Sequence, residues 1–206
     1  MSNNVHAEAH VHRDDIRSRM GMWLFLFSEL LLFGGLFLMY SVYRYMHPHS
    51  FSIASKEMNT FFGTVNTIIL LTSSLTMALA IAAIQKGKRN LSIFFQVVTL
   101  IFGLAFLVNK FIEWSAEFRK GNFPGSAILQ NKPPGQILYF GLYYSMVGLH
   151  GLHVIVGMSV IAFMLRLTIK GTINKDDYVK LEAAGLYWHL VDIIWIFLFP
   201  LFYLIT

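Results

Sequence analysis

Seven polar side chains fall inside or at the edge of apolar stretches: Glu29, Asn66, Glu113, His150, His153, His189 and Asp192. Imidazoles and carboxylates bind transition metals and carry protons. At bilayer depth each ionisable group costs about 2.5–3.5 kcal/mol on insertion scales, so it needs a partner or a task. His150 and His153 are three residues apart, as are His189 and Asp192, and each pair shares a helix face. Such pairs resemble part of a carboxylate-bridged di-iron site, which needs several Glu ligands and Glu-x-x-His repeats. Here only Glu29 and Asp192 reach the same depth, about 14 Å from the inner ends of their helices. Haem needs two axial ligands at one depth on facing helices. His150 and His153 share a helix, and His153 and His189 differ in depth by about 10 Å. No cofactor and no metal are therefore expected on this chain, and the seven residues are expected to form a buried hydrogen-bonded network. No catalytic residue set emerges. There is no Gly-rich phosphate loop, and with no Cys there is no thiol nucleophile, disulfide or thiolate copper centre.

The elements that would hold these groups follow from composition. Of the 206 residues, 56% are hydrophobic and 13% charged, and the mean hydropathy is +0.58. Soluble domains carry about twice that charge. Five stretches cover about 30 Å of hydrocarbon as helices: residues 20–43, 61–84, 91–112, 138–166 and 183–206. The fold class is all-α, an integral membrane bundle of five transmembrane helices over residues 20–206, preceded by a polar cytoplasmic tail at 1–19. The stretches lack the period-two alternation of a membrane barrel, and no internal repeat suggests a transporter. The first span is too long for a signal peptide and is expected to be retained.

Arg13, Arg17, Arg19, Lys86, Lys88, Arg89, Arg166, Lys170, Lys175 and Lys180 lie on one side. They outnumber Arg44, Lys56, Lys110, Arg119, Lys120 and Lys132 on the other. This bias places the N-terminus in the cytoplasm and the C-terminus outside, and it explains the net charge of +5 without nucleic acid. Lys110, near a span end, is expected to snorkel. Trp23, Tyr187 and Trp188 are expected at the inner interface, and Tyr40, Tyr43, Trp114, Tyr139 and Tyr203 at the outer one. Ser74, Ala78 and Ala82, and Gly141, Ser145 and Gly148, are read as packing seams. His6, His10 and His12 belong to a solvated tail. His47-Pro48-His49 reads as a loop, and residues 113–136, with Gly-Asn-Phe-Pro-Gly and Lys-Pro-Pro-Gly, as a turn-rich external connection.

The last two spans carry recognisable motifs. The fourth contains Gly148-Leu149-His150-Gly151-Leu152-His153-Val154, with Gly157 following. The fifth contains Tyr187-Trp188-His189-Leu190-Val191-Asp192-Ile193-Ile194-Trp195. They resemble the Gly-Phe-His-Gly-Leu-His-Val and Tyr-Trp-His-Phe-Val-Asp-Val-Val-Trp motifs of the subunit III family of haem-copper terminal oxidases. Ser28-Glu29, Asn66-Thr67, Ser73-Ser74 and Glu113-Trp114 extend the resemblance over nearly the whole chain from Arg19. Lys110 and Val147 depart from the family's usual Gln and Thr. The first two helices of the seven-helix mitochondrial form have no counterpart, as in shorter bacterial members, so any lipid site carried over is partial.

The resemblance implies a non-catalytic subunit of a proton-pumping oxidase in the bacterial cytoplasmic membrane. That subunit packs against subunit I, contacts other oxidase subunits and supports stability and proton uptake. Haem and copper are expected in partner subunits, and phospholipid as a bound component. The resemblance carries the family's intramembrane Glu onto Glu29 and its polar cluster onto Glu113, His150, His153, His189 and Asp192. Subunit I would need six metal-ligating His in its helices and subunit II two Cys, and this chain meets neither requirement. The alternatives are the homologous accessory subunit of a nitric-oxide reductase and, in a different class, a free-standing membrane cytochrome or ion carrier. A visible absorption spectrum of the isolated chain separates the last of these: no Soret band is expected, and one would favour a cytochrome.

Overall fold

The computed structural model describes residues 2–175 and 177–205, with side chains from residue 20 onward. The histidines of the N-terminal tail, His6, His10 and His12, lie outside the described side chains. The described residues form helices and no strands: α1 (Ser2–Met46), α2 (Pro48–Lys56), α3 (Thr60–Gln85), α4 (Arg89–Arg119), α5 (Ala127–Gln130), α6 (Pro134–Lys170) and α7 (Val179–Tyr203). Five of them, α1 from Met20, α3, α4, α6 and α7, are long and apolar enough to cross a membrane.

Local chemistry sets their ends. The Asn59 side chain accepts from the Phe61 amide at 3.0 Å and caps the start of α3. Gly87 (φ 71°) and Gly171 (φ 82°) stop α3 and α6 in the left-handed conformation that only Gly adopts without strain. Lys88 and Thr172 then donate back to the Ala83 and Leu167 carbonyls at 2.9 and 3.1 Å, closing Schellman motifs.

Several elements differ from the sequence reading. Pro48 opens a helix at His47-Pro48-His49, because its missing N–H is costless in a first turn. That helix buries Phe51 and Ala54. α4 continues to Arg119, well into the segment read as a loop. Glu117 in its last turn is paired with two residues just past the helix, Lys120 at 2.6 Å and Asn122 at 3.0 Å. The connection itself contains α5, capped by Ser126.

α3 packs most extensively on α4, and α7 lies against both α3 and α6. The seam on α3 is Gly63, Asn66, Leu70, Ser73, Met77, Ala80 and Ile84. The expected Ser74, Ala78 and Ala82 row lies beside it, with Ala78 exposed. On α6 the buried face carries Tyr139, Tyr143, His150, Val154, Gly157 and Ile161, whereas Ser145 of the expected seam is exposed. Trp188 explains two of the small residues. Its fully buried ring lies between Gly103 of α4 and Gly157 of α6, where a Cβ would stand 3.0 and 2.9 Å from ring atoms. Its Nε1 donates to Ser73 Oγ of α3 at 3.0 Å. By contrast α1 leans on α6 and α7 along one stripe, Leu26, Phe33 and Tyr40, at the seven-residue spacing of a packing seam.

Of the aromatics named for the interfaces, Trp23 is exposed, and Tyr187, Trp188, Tyr40, Tyr139 and Tyr203 are packed inside the bundle. Two of the tyrosines secure the end of α7, where the last carbonyls have no intrahelical donors. Tyr40 of α1 donates to the Leu201 carbonyl, and Tyr139 of α6 donates to Phe202 at 2.5 Å. Ser55 of α2 donates to Ile205 at 2.6 Å and Thr60 of α3 to Tyr203 at 3.4 Å. Four helices thus hold the terminus of a fifth. Tyr139→Phe is expected to lower stability by about 1 kcal/mol by stranding the Phe202 carbonyl. Thermal unfolding in detergent measures this, and an unchanged midpoint would count against the clamp.

Candidate functional site

Five of the seven polar residues fall into separate hydrogen-bonded sets that join two or three helices. Near the C-terminal end of α4, Lys110 and Glu113 form an i,i+3 ion pair at 2.8 Å, with side chains 8% and 3% exposed. Glu113 Oε1 accepts from Tyr143 of α6 at 2.9 Å and from Tyr203 of α7. Lys110 also donates to the Tyr203 hydroxyl at 2.5 Å, and its ammonium lies 4.6 Å from the Trp195 ring centroid. Lys110 therefore does not snorkel. Its charge is balanced inward by a carboxylate, a hydroxyl and aromatic faces.

Glu29 of α1 meets His153 of α6, with Oε2 and Nε2 2.8 Å apart. The other ring nitrogen of His153, Nδ1, donates to the Leu149 carbonyl at 2.7 Å, because a carbonyl can only accept. Both side chains of this contact are only 13–14% exposed, so each largely replaces water as the other's polar partner.

His189 of α7 joins Ser74 of α3, its Nδ1 2.6 Å from the hydroxyl. Asn109 of α4 donates to Asn66 Oδ1 of α3 at 2.6 Å. Trp195 Nε1 donates to Thr67 at 3.1 Å. His150 and Asp192 are buried without hydrogen-bond partners among the described residues. His150 is instead enclosed by aromatic rings, Trp195 at 5.3 Å and Phe106 at 5.6 Å between centroids. Asp192 stands beside Ser74, whose hydroxyl His189 engages.

The shared-face reading of His150 and His153 therefore resolves into two directions, one towards α4 and α7 and the other towards α1. His189 and Asp192 both turn towards α3. Among the described residues no hydrogen bond joins one set to the next, and no three His, Asp or Glu side chains converge as a metal set. Lys110, Tyr143, Tyr203, Asn109 and Ser74 complete these sets and were not singled out as partners from the sequence. The i,i+3 spacing of Lys110 and Glu113 was a legible signal. The tyrosines, thirty and ninety residues from Glu113 in sequence, gave none.

The fold and these sets define a multi-pass membrane protein whose buried polar groups tie helices to one another. The sequence profile of cytochrome c oxidase subunit III matches residues 3–206. The chain is 33% identical to the cytochrome bo(3) ubiquinol oxidase subunit 3 of Buchnera aphidicola over 189 residues, 89% of this chain and 92% of the relative. It is 32% identical to the cytochrome c oxidase subunit 3 of Thermostichus vulcanus, over 96% of this chain and 92% of the relative. A probable quinol oxidase subunit 3 of Staphylococcus haemolyticus is 29% identical over 91% of this chain and 89% of the relative. The chain belongs to the cytochrome c oxidase subunit III family, whose members are non-catalytic subunits of an oxidoreductase complex.

Lys110→Met leaves Glu113 as a buried carboxylate without its cation. Such a loss costs about 3–5 kcal/mol. The double variant Lys110→Met/Glu113→Gln is expected to recover most of it. Unfolding midpoints of wild type, both single variants and the double variant measure the coupling, and a double variant no better than Lys110→Met would count against a pairwise origin.

Proposed function

We propose that this chain acts as a scaffold of a proton-pumping haem-copper oxidase, packing against the haem- and copper-bearing subunit I in a bacterial cytoplasmic membrane. In this reading residues 1–19 form a cytoplasmic tail, residues 20–206 form the membrane domain, and the C-terminus faces outward. Haem and copper belong to the partner subunits, other subunits read the electron donor, and phospholipid fills the lateral surfaces. The chain supports proton uptake by holding the complex in shape.

One observation supports the scaffold reading: the hydrogen bonds of the buried polar residues run from helix to helix in separate groups, with no direct hydrogen bond between the groups among the described residues. Proton transfer needs an unbroken succession of donors and acceptors at about 2.6–3.2 Å or bridged by one water. The sets of Glu29, Asn66, Glu113 and His189 each end on partners inside the bundle. His150 and Asp192 take no hydrogen bond from any of them. The positive balance of the second and fourth connections supports the stated orientation.

Glu29→Ala tests scaffold against wire. The substitution strands the His153 Nε2 and removes a polar tie of α1, leaving its apolar stripe and the Tyr40 hydrogen bond to Leu201. Less assembled complex is expected, with the proton-to-electron ratio of whatever assembles unchanged. Subunit content after gentle solubilisation and proton pumping in vesicles are the two measurements. Intact complex with halved pumping would overturn the scaffold assignment.

A further inference from the structure

Tyrosine and tryptophan are the side chains that give up one electron most readily, and a hole passes between such rings when they touch. Four of them stand in an unbroken row where α4 and α6 meet the end of α7. Trp114 of α4 is half-buried and lines a cavity of about 400 Å³ with Phe111, Gly148 and Leu152. It lies five residues before Arg119, the last residue of α4, and so about 8 Å from the helix end. Its ring centroid is 5.3 Å from that of Tyr144 of α6. Tyr144 is 5.2 Å from Tyr143, and Tyr143 is 6.2 Å from Tyr203 of α7. The row runs inward: Trp114 and Tyr144 are half-buried, whereas Tyr143 and Tyr203 are 0% and 4% exposed. The hydroxyls change along it too. That of Tyr144 has no hydrogen-bond partner among the described residues. Those of Tyr143 and Tyr203 lie 3.0 Å apart, and both donate to Glu113 Oε1.

A phenol that loses an electron becomes a strong acid and must shed its proton. Without an acceptor at its hydroxyl Tyr144 is therefore hard to oxidise, and a carboxylate in contact makes Tyr143 and Tyr203 easier. The Lys110 ammonium, 5.7 and 5.0 Å from the centroids of those two rings, repels a ring that keeps the positive charge and so favours loss of the proton. We propose that Trp114, Tyr144, Tyr143 and Tyr203 form a relay that takes an oxidising equivalent from the surface and holds it as a tyrosyl radical on the buried Tyr143–Tyr203 pair. The oxidant is an oxygen-centred radical at the membrane surface. It takes one electron from Trp114 and becomes an anion. The hole passes through Tyr144 to the pair, one phenolic O–H bond breaks there, and its proton moves to Glu113 Oε1. The products are the oxidant's anion, a neutral tyrosyl radical and the Glu113 acid, and return of one electron sends the proton back. The relay uses the Glu113 set described above. Because the radical forms within one chain, it does not depend on the scaffold reading.

Photo-oxidation of the full chain in detergent tests the relay. Ruthenium(III) tris-bipyridine, generated by a laser flash with a cobalt(III) acceptor, serves as the one-electron oxidant, and freeze-quenched samples are read by electron paramagnetic resonance. Trp23 and Tyr45, 65% and 88% exposed, are replaced by Phe throughout so that they do not compete. A tyrosyl radical is expected, forming more slowly in deuterium oxide because a proton moves with the hole. Tyr144→Phe removes a hydroxyl that bonds nothing and leaves the fold intact; the radical is then expected on tryptophan instead of tyrosine. Lys110→Met/Glu113→Gln removes the proton acceptor without stranding a charge and is expected to lower the tyrosyl yield about tenfold or more. Unfolding midpoints recorded for each variant separate radical loss from fold loss. A tyrosyl yield unchanged in either variant, or no tyrosyl radical in the parent chain, would overturn the relay.

Discussion

Hydrocarbon supplies no hydrogen-bond partner, and this constraint governs the rest of the structure. Every polar group at bilayer depth must be satisfied by the chain itself or borne as a cost. The Lys110–Glu113 pair shows the consequence most fully. An ammonium and a carboxylate nearly sealed from the surroundings are tolerable only because Tyr143, Tyr203 and the Trp195 face complete their shells. Since those partners come from α6 and α7, charge compensation on one helix becomes adhesion among three.

The same requirement explains how an otherwise slippery set of apolar rods acquires a register. Apolar side chains gain nothing by leaving lipid for one another, so directional bonds and close approach do the specifying. Trp188 uses both, resting over Gly103 and Gly157 while bonding Ser73. The end of α7 uses four hydroxyls for the carbonyls that the helix leaves open. Where these devices are sparse, as on α1, the helix is joined along a single stripe and the Glu29–His153 pair is one of its polar ties.

A non-catalytic subunit needs shape more than reactivity, and the polar residues here lie mostly against other helices of the same chain. Glu29 and His153 meet at 2.8 Å across α1 and α6. His189 and Asn66 are each engaged by one side chain. His150 packs against rings as an aromatic body. Such helix-to-helix pairings fix the register of the bundle, which suits the scaffold role proposed for the chain.

The sequence alone determined the five spans and their all-helical class and singled out the polar residues within them, because hydropathy and helical period are local properties of the chain. The two last-span motifs carried the family in the same way. Pairing was another matter. The three-residue spacing of His150 and His153 put them near one face, yet they are turned to different neighbours, since that spacing rotates side chains about 60° apart on a helix. Lys110 reads as a snorkelling cation and Tyr40, Tyr139 and Tyr203 as interfacial aromatics until the packing of α6 and α7 brings carbonyls and a carboxylate to them. Which groups satisfy which is decided only when helices far apart in sequence meet, because a hydrogen bond depends on angles and ångströms that no run of residues encodes by itself.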